Sequence, residues 1–399
     1  MATLREKLAG SLQALRKTQE ERDSAVIKTS EINRAHRERL TKNGFLKKVA
    51  KGWYTVANPN EGFGDSTSWY TSYWQFCSRY LENKYGGAYC ISAEQSILMH
   101  SGNSTVPGQL IIRSPKAPNK KIPLLHNTSL FEMKSKLPNT AAVIEVNGIR
   151  TLSRTAALIN CSPTMFEKNP TDMRVVLALI PDAAEILTQL LEGSHSVIAG
   201  RLAGAFRNIG QNRIADEIVL TMKMAGFDVR ETNPFKNKLP IKLSFRERSP
   251  YANRIKIMWE EHRKTIIEHF PDSPGPAKND EAYLNAVDQM YVTDAYHSLS
   301  IEKYNVSVEL IEKVRRGGWQ PEENKTDRDQ KDAMAARGYW QATQAVKNSI
   351  KKILGGANPG TIADQDHTVW YRQLFASSVT VGILKPADLA GYRTTQVYI

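Results

Sequence analysis

The chain has 399 residues, 41% hydrophobic and 24% charged, which suits roughly two to four globular domains whose cores need no staples. It has no run of about 18 apolar residues and no secretory signal in its charged, amphipathic start (MATLREKLAGSLQALRK), so neither a membrane span nor export is expected. The net charge of +13 is uneven: residues 1–165 hold 23 Lys and Arg against 12 Asp and Glu, and the remainder 31 against 29. A basic front that meets a polyanion is expected, with solubility alone as the alternative.

Leu4, Leu8, Leu12 and Leu15 recur at helical spacing and predict a first helix over Thr3–Thr18. Val26 and Ile27 predict a short strand. Ser30 is placed to cap a second helix, Glu31–Lys42, closed by Asn43-Gly44. Phe45, Leu46 and Val49, then Trp53, Tyr54 and Val56, predict a hairpin across Lys51-Gly52. Helix, strand, helix and hairpin is the order of a winged helix-turn-helix, over residues 1–58. Arg34, Arg37, Arg39 and Lys42 lie on its second helix, and Lys47, Lys48 and Lys51 in the wing. Such a set straddles a groove and neutralises phosphates, so DNA is an expected partner of residues 28–56. Asn33, Arg34 and Arg37 are candidates for base edges, because the start of a recognition helix goes deepest. The alternative is a winged helix that makes only protein contacts. This segment resembles the N-terminal domain of abortive-infection antitoxins of toxin–antitoxin systems, which are transcriptional autoregulators.

Pro59–Gly64 reads as a linker. Trp69, Tyr73, Phe76 and Tyr80 fall on one face of a helix and predict core. Residues 65–165 are expected to form a small β-rich domain, with strands at Leu110–Ile112, Ile122–Leu125 and Leu130–Met133. Ala141–Val146 and Ile149–Leu152 flank Asn147-Gly148, whose positive φ values suit a tight hairpin. The passage VNGIRTLSRTAALINCS is also similar to the antitoxin family. Cys77, Cys90 and Cys161 are odd in number and widely spaced, which fits a reducing cytoplasm and neither a metal pair nor a disulfide framework. His100 and His126 read as structural or loop histidines. Residues 166–238 turn helical. Gly200 and Gly204 allow close helix approach, and His195 reads as a helix-start or surface residue.

Leu239–Pro250 reads as an extended linker, Tyr251–Phe270 as a helix with Ile255, Met258, Trp259, Ile266 and Ile267, and 271–280 as a Pro/Gly loop that is placed to cap the next helix at Asp280, with Ala282–Met290 leading into the helix of Ser298 and Glu302. In Tyr291–Val314, Ser298 and Glu302 stand four apart and share a helix face. That helix is expected to begin near Thr293 or Asp294, with Ala295, Leu299 and Ile301 inward. It should stop soon after Glu302, because Tyr304, Asn305 and Val306 suit a helix poorly. A second helix follows from Ser307. Trp319–Lys331 reads as a polar loop and Ala333–Leu354 as a long helix ending at Gly355-Gly356. Trp370, Tyr371, Leu374 and Phe375 sit on another.

Ser298-x-x-x-Glu302 resembles the autoinhibitory motif of the Fic (Fido-domain) proteins, which move AMP from ATP onto protein hydroxyls. Lys303 stands where that family has Gly or Asn. The end of the chain, GILKPADLAGYRTTQVYI, is similar to the approach to the Fic flap hairpin, with Gly391, Tyr392, Arg393, Val397, Tyr398 and Ile399 in matching order. The resemblance implies that residues 250–399 are the first part of a Fic-type helical domain. It implies that Glu302 ties up an Arg that would hold the ATP γ-phosphate, and that Arg393, Val397 and Tyr398 meet a protein target. ATP and Mg²⁺ are the implied cofactors. None of the eight histidines lies in the family's catalytic string, His-x-Phe-x-Asp/Glu-Gly-Asn-Gly-Arg-x-x-Arg. No catalytic residue and no metal ligand is therefore assigned, and this chain alone is expected to be inactive. A catalytic segment outside it, or a second copy, would complete the enzyme. The expected fold is α+β and predominantly helical: winged helix, β-rich domain, helical domain and an incomplete Fic-type bundle. The alternative function is that of a DNA-binding, antitoxin-like regulator whose Fic-like half is scaffold.

Overall fold

The first helix, α1 (Leu4–Arg22), is started by a reciprocal cap: Thr3 accepts from Glu6 N at 3.2 Å, and the Glu6 carboxylate accepts from Thr3 N at 2.7 Å. A computed structural model describes residues 3–62, 64–236, 249–272, 280–302, 304–319, 331–380 and 384–391. The expected linker at 239–250 lies almost wholly outside these residues, as do Lys303, most of the loops at 271–280 and 319–331, and Tyr392, Arg393, Val397, Tyr398 and Ile399. Two compact units divide the chain, Met1–Phe270 and Pro271–Gln396. The fold is α+β and mainly helical, with three small sheets among the described residues. Among the described residues no helix is long and apolar enough to cross a membrane.

In the first unit, β1 (Val26–Lys28) leads through a 3-10 turn, Thr29–Glu31, into α2 (Arg34–Lys42). The cap of α2 is Asn33, whose side chain accepts from Ala35 N at 2.8 Å. Ser30 is held in the turn instead, because the Glu31 carboxylate folds back onto Lys28 N at 2.8 Å. The hairpin β2 (Leu46–Ala50) and β3 (Trp53–Val56) completes an antiparallel sheet of order β1-β3-β2.

That sheet shares its core with the next helix, α3 (Thr67–Tyr85). Trp69, Tyr73 and Phe76 are buried as expected, and they pack in one cluster with Val26, Val49 and Trp53. Polar contacts follow the same seam. Gln75 accepts from Ala25 N and donates to Asp23 O, both at 2.9 Å. Thr55 donates to Ser72 at 2.9 Å, and Arg79 pairs with Glu31 at 2.5 Å. The second sheet, β4 (Cys90–Ile91), β5 (Gln109–Ser114), β6 (Lys120–Pro123) and β7 (Ser129–Lys134), has the order β4-β5-β7-β6 with β5 and β7 parallel. An unforeseen helix, α4 (Ala93–His100), stands between its first two strands. The hairpin β8 (Val143–Val146) and β9 (Ile149–Leu152) turns at Asn147-Gly148, whose φ values are 51° and 73°. Helix α5 (Arg154–Asn160) follows. All three cysteines are buried thiols.

The helical block comprises α6 (Met165–Lys168), α7 (Pro170–Ala178), α8 (Ala184–Glu192), α9 (Ser196–Asn208) and α10 (Asn212–Met224). Gly200 and Gly204 do permit a close approach, though its partner is extended chain rather than a helix. A Cβ on Gly200 would lie 2.0 Å from Arg230 O, and one on Gly204 2.2 Å from Thr232 O. Thr232 N donates to Gly200 O at 3.1 Å. Helix α11 (Pro250–His269) joins this block through Arg254–Asp172 at 2.5 Å and Arg174–Glu261 at 3.5 Å. It buries Asn253 and Ile257, while Ile255, Met258, Trp259, Ile266 and Ile267 are exposed, contrary to a simple inward apolar face.

The second unit holds α12 (Asp280–Ile301), α13 (Val308–Arg315), α14 (Lys331–Leu354), α15 (Pro359–Thr380) and a 3-10 turn at Pro386–Leu389. Tyr291, Ala295, Leu299, Ile311, Val314 and Met334 lie in its core. Helices α14 and α15 touch backbone to backbone at Gly338, where a Cβ would lie 1.9 Å from Leu374 O.

Two predictions follow from this packing. Gly338→Ala should force the helices apart and cost about 1–3 kcal/mol, read as earlier loss of helical signal in urea unfolding of the full chain; an unchanged midpoint would contradict it. The second concerns His100, whose Nε2 lies 2.7 Å from Leu152 O. Burial pushes this imidazole below its ordinary value, so at mildly acidic pH the unfolded chain binds the proton more readily than the folded one. The resulting penalty is absent above about pH 6.5 and grows as pH falls through that value. The loss of melting temperature between pH 7 and pH 5 should be smaller in His100→Asn than in the parent chain.

Candidate functional site

The end of α12 is where the second unit brings polar side chains together. Nothing between Ala282 and Met290 breaks a helix, so of the two expected starts α12 takes Asp280 rather than Thr293 or Asp294. It stops where expected, with Glu302 N donating to Ser298 O at 3.3 Å and Tyr304 N to Leu299 O at 3.0 Å. Ser307 caps α13 by accepting from Leu310 N at 3.2 Å. Asn305 N donates to Asp332 at 3.1 Å, which pins the connecting loop to the start of α14.

Ser298 and Glu302 line a cleft of ≈ 830 Å³ together with Lys331, Tyr339, Leu374 and Phe375. Its walls are mainly apolar and aromatic, and among the described residues its charged groups are Glu302 and Lys331. Ala295 and Leu299 are buried as expected. Ile301 is not: it is 78% exposed and sits on the cleft lining, because the helix ends there and no described element covers it. The Glu302 carboxylate is exposed and makes no side-chain hydrogen bond or ion pair among the described residues.

Ser298 is half-buried and has a defined neighbour. The Tyr339 hydroxyl donates to Asp294 at 2.6 Å and lies 3.1 Å from Ser298 Oγ. Burial, then the Asp294 carboxylate, pushes the Tyr339 phenol above its ordinary value, so it stays a neutral donor at physiological pH. Tyr339, Asp294 and Lys331 were not singled out by spacing alone. One signal was present: Asp294, Ser298 and Glu302 repeat every fourth residue and draw a polar line along α12. Among the described residues no group of three or more His, Cys, Asp or Glu is placed to hold a metal. His297 stacks edge-on against Tyr296, and His367 bonds to carbonyls of its own helix. His195 stands at the start of α9 and His126 in a positive-φ turn before β7.

The basic residues of the first unit divide into two sets. Asn33 spends its side chain on the α2 cap. Arg34 pairs with Glu38 at 2.7 Å, and Lys47 pairs with Glu61. Arg37 donates to Thr29 O at 3.1 Å and lies over the Tyr54 ring. Arg39 donates to Lys7 O at 3.0 Å and to Ser11 at 2.6 Å. The geometry therefore uses several of the candidate DNA contacts to hold α2 against its own neighbours. Lys42, Lys48 and Lys51 are exposed, with no ion pair among the described residues. No family model matches the chain, and no curated protein or solved structure matches it either.

Proposed function

We propose that the second unit is the regulatory part of a protein AMP transferase of the Fic type, with Glu302 as its brake. The observation that carries the proposal is a carboxylate at the end of α12 that is unpaired among the described residues, on the lining of an apolar cleft and one turn beyond Ser298. A carboxylate in that position accepts a bidentate guanidinium, and the arginine that would hold the ATP γ-phosphate is the one it would occupy. Ser298, steadied by Tyr339 and Asp294, fixes the helix turn from which Glu302 projects. ATP and Mg²⁺ would be bound chiefly by a segment carrying the catalytic string, which these 399 residues do not contain. Residues 1–399 alone should transfer no label from ATP to protein. Joined to a segment that carries the string, they should hold transfer low. Glu302→Gly should then raise it by about tenfold or more, and an unaltered rate would overturn the proposal.

A second function, DNA binding by residues 28–56, is favoured by the exposed trio Lys42, Lys48 and Lys51 beside a helix and hairpin. In gel shifts at low salt the full chain should retard duplex DNA of its own promoter. Replacing all three lysines by Ala should reduce the salt slope of binding by about 2–3. No shift at low salt would remove this function.

A further inference from the structure

We infer a second ligand site in the second unit, a groove that takes a neutral sugar ring. It lies between α14 and α15, beyond their crossing at Gly338 and toward the Gly355-Gly356 turn. Trp340, Gln341, Gln344, Asn348, Trp370 and Gln373 line it, and its volume is ≈ 430 Å³. Small-molecule sites begin at about 300 Å³, so a hexose unit fits.

The groove's charge selects the class of ligand. Its lysine and its carboxylate neutralise each other, Lys352 Nζ standing 2.8 Å from Asp366 Oδ2. That contact holds the Asp366 carboxyl below its ordinary value. Ser349 donates to the same carboxylate at 2.6 Å and accepts from Trp370 Nε1 at 3.0 Å. The pair is thus committed to fixing the Trp370 indole, and neither an anion nor a cation gains a free counter-charge here. Trp340 is fixed as well, by the edge of Tyr291 at 4.6 Å and by the Arg315 guanidinium over its ring.

Two lining residues each bury an atom with no hydrogen-bond partner among the described residues: Gln341 Oε1, an acceptor, and Gln344 Nε2, a donor. Buried amide groups are rarely left so. A hydroxyl both donates and accepts. Once the two amides turn into the groove, adjacent hydroxyls of one sugar satisfy the acceptor of Gln341 and the donor of Gln344 together, with Asn348 and Gln373 offering more of each kind. The C–H face of the same ring is apolar and suits the two indoles. A carboxylate ligand would satisfy only Gln344, and an ammonium only Gln341. This assignment uses no part of the Glu302 cleft and stands apart from the function proposed for it.

The test is a titration of the full chain with glucose, galactose, N-acetylglucosamine, maltotriose and cellotriose. Binding is read by tryptophan fluorescence and by saturation transfer to sugar ring protons. At least one sugar should bind in the millimolar range, independently of salt. Gln344→Met replaces an unpartnered amide by an apolar chain of similar shape, so it should leave the melting temperature unchanged or raised while weakening binding at least tenfold. Gln373→Ala, at a half-buried position on the lining, should weaken the same sugar without unfolding the hairpin. Absence of a signal with all five sugars, or binding untouched by both variants, overturns the assignment.

Discussion

The close crossing of α14 and α15 at Gly338 organises the second unit. With no side chain at that point the two backbones touch. Toward the start of α14 lies the cleft that Ser298 and Glu302 line. Toward the Gly355-Gly356 turn lies the groove with the two tryptophans, where Ser349 and Lys352 still bridge to Asp366. The residues beside the glycine serve both spaces: Tyr339 turns to Ser298 and Asp294, and Trp340 turns to Tyr291 and the groove. The close approach at Gly338 therefore stands between two spaces that share no lining residue among the described residues.

The first unit solves a different problem. Its small antiparallel sheet cannot bury both faces with α1 and α2 alone. Leu15, Ile27, Leu40 and Leu46 fill one side, and α3 covers the other through Trp53, Val26 and Val49. The Arg79–Glu31 pair and the Gln75 bridge then fix the register of that packing. Helix α2 is thereby held to the domain behind it, and its arginines are part of the holding. Arg37 and Arg39 anchor α2 to the Thr29 turn and to α1, which leaves Lys42, Lys48 and Lys51 as exposed cations with no ion pair among the described residues.

Local chemistry in the sequence foretold much of this. The Asn147-Gly148 hairpin, the stop after Glu302, the Ser307 cap and the aromatic face of α3 each depend on residues within a turn or two of one another. What escaped depends on partners far along the chain. Ser30 and Asn33 are both good caps, and Glu31 decides between them through bonds to Lys28 and Arg79. Gly200 and Gly204 announce a close approach without naming what approaches. The parallel pairing of β5 with β7 places β6 at the edge, an order that strand propensity does not encode. The cleft was foreshadowed by the Asp294, Ser298, Glu302 repeat, whereas its opposite wall comes from Leu374 and Phe375, some seventy positions later.

The state of Glu302 bears on how a brake at this place would work. An exposed carboxylate keeps its water and loses little by standing unpaired. A partner guanidinium brings two parallel charge-assisted bonds and, on the cleft lining, leaves part of that water behind. The gain on pairing is then modest, because solvent still reaches the pair. A modest gain suits a contact that has to be broken by a competing ligand, since a tightly buried pair would hold too well to be displaced. The strength of the brake would therefore be set less by Glu302 itself than by how firmly Ser298, Tyr339 and Asp294 hold the last turn of α12 in place.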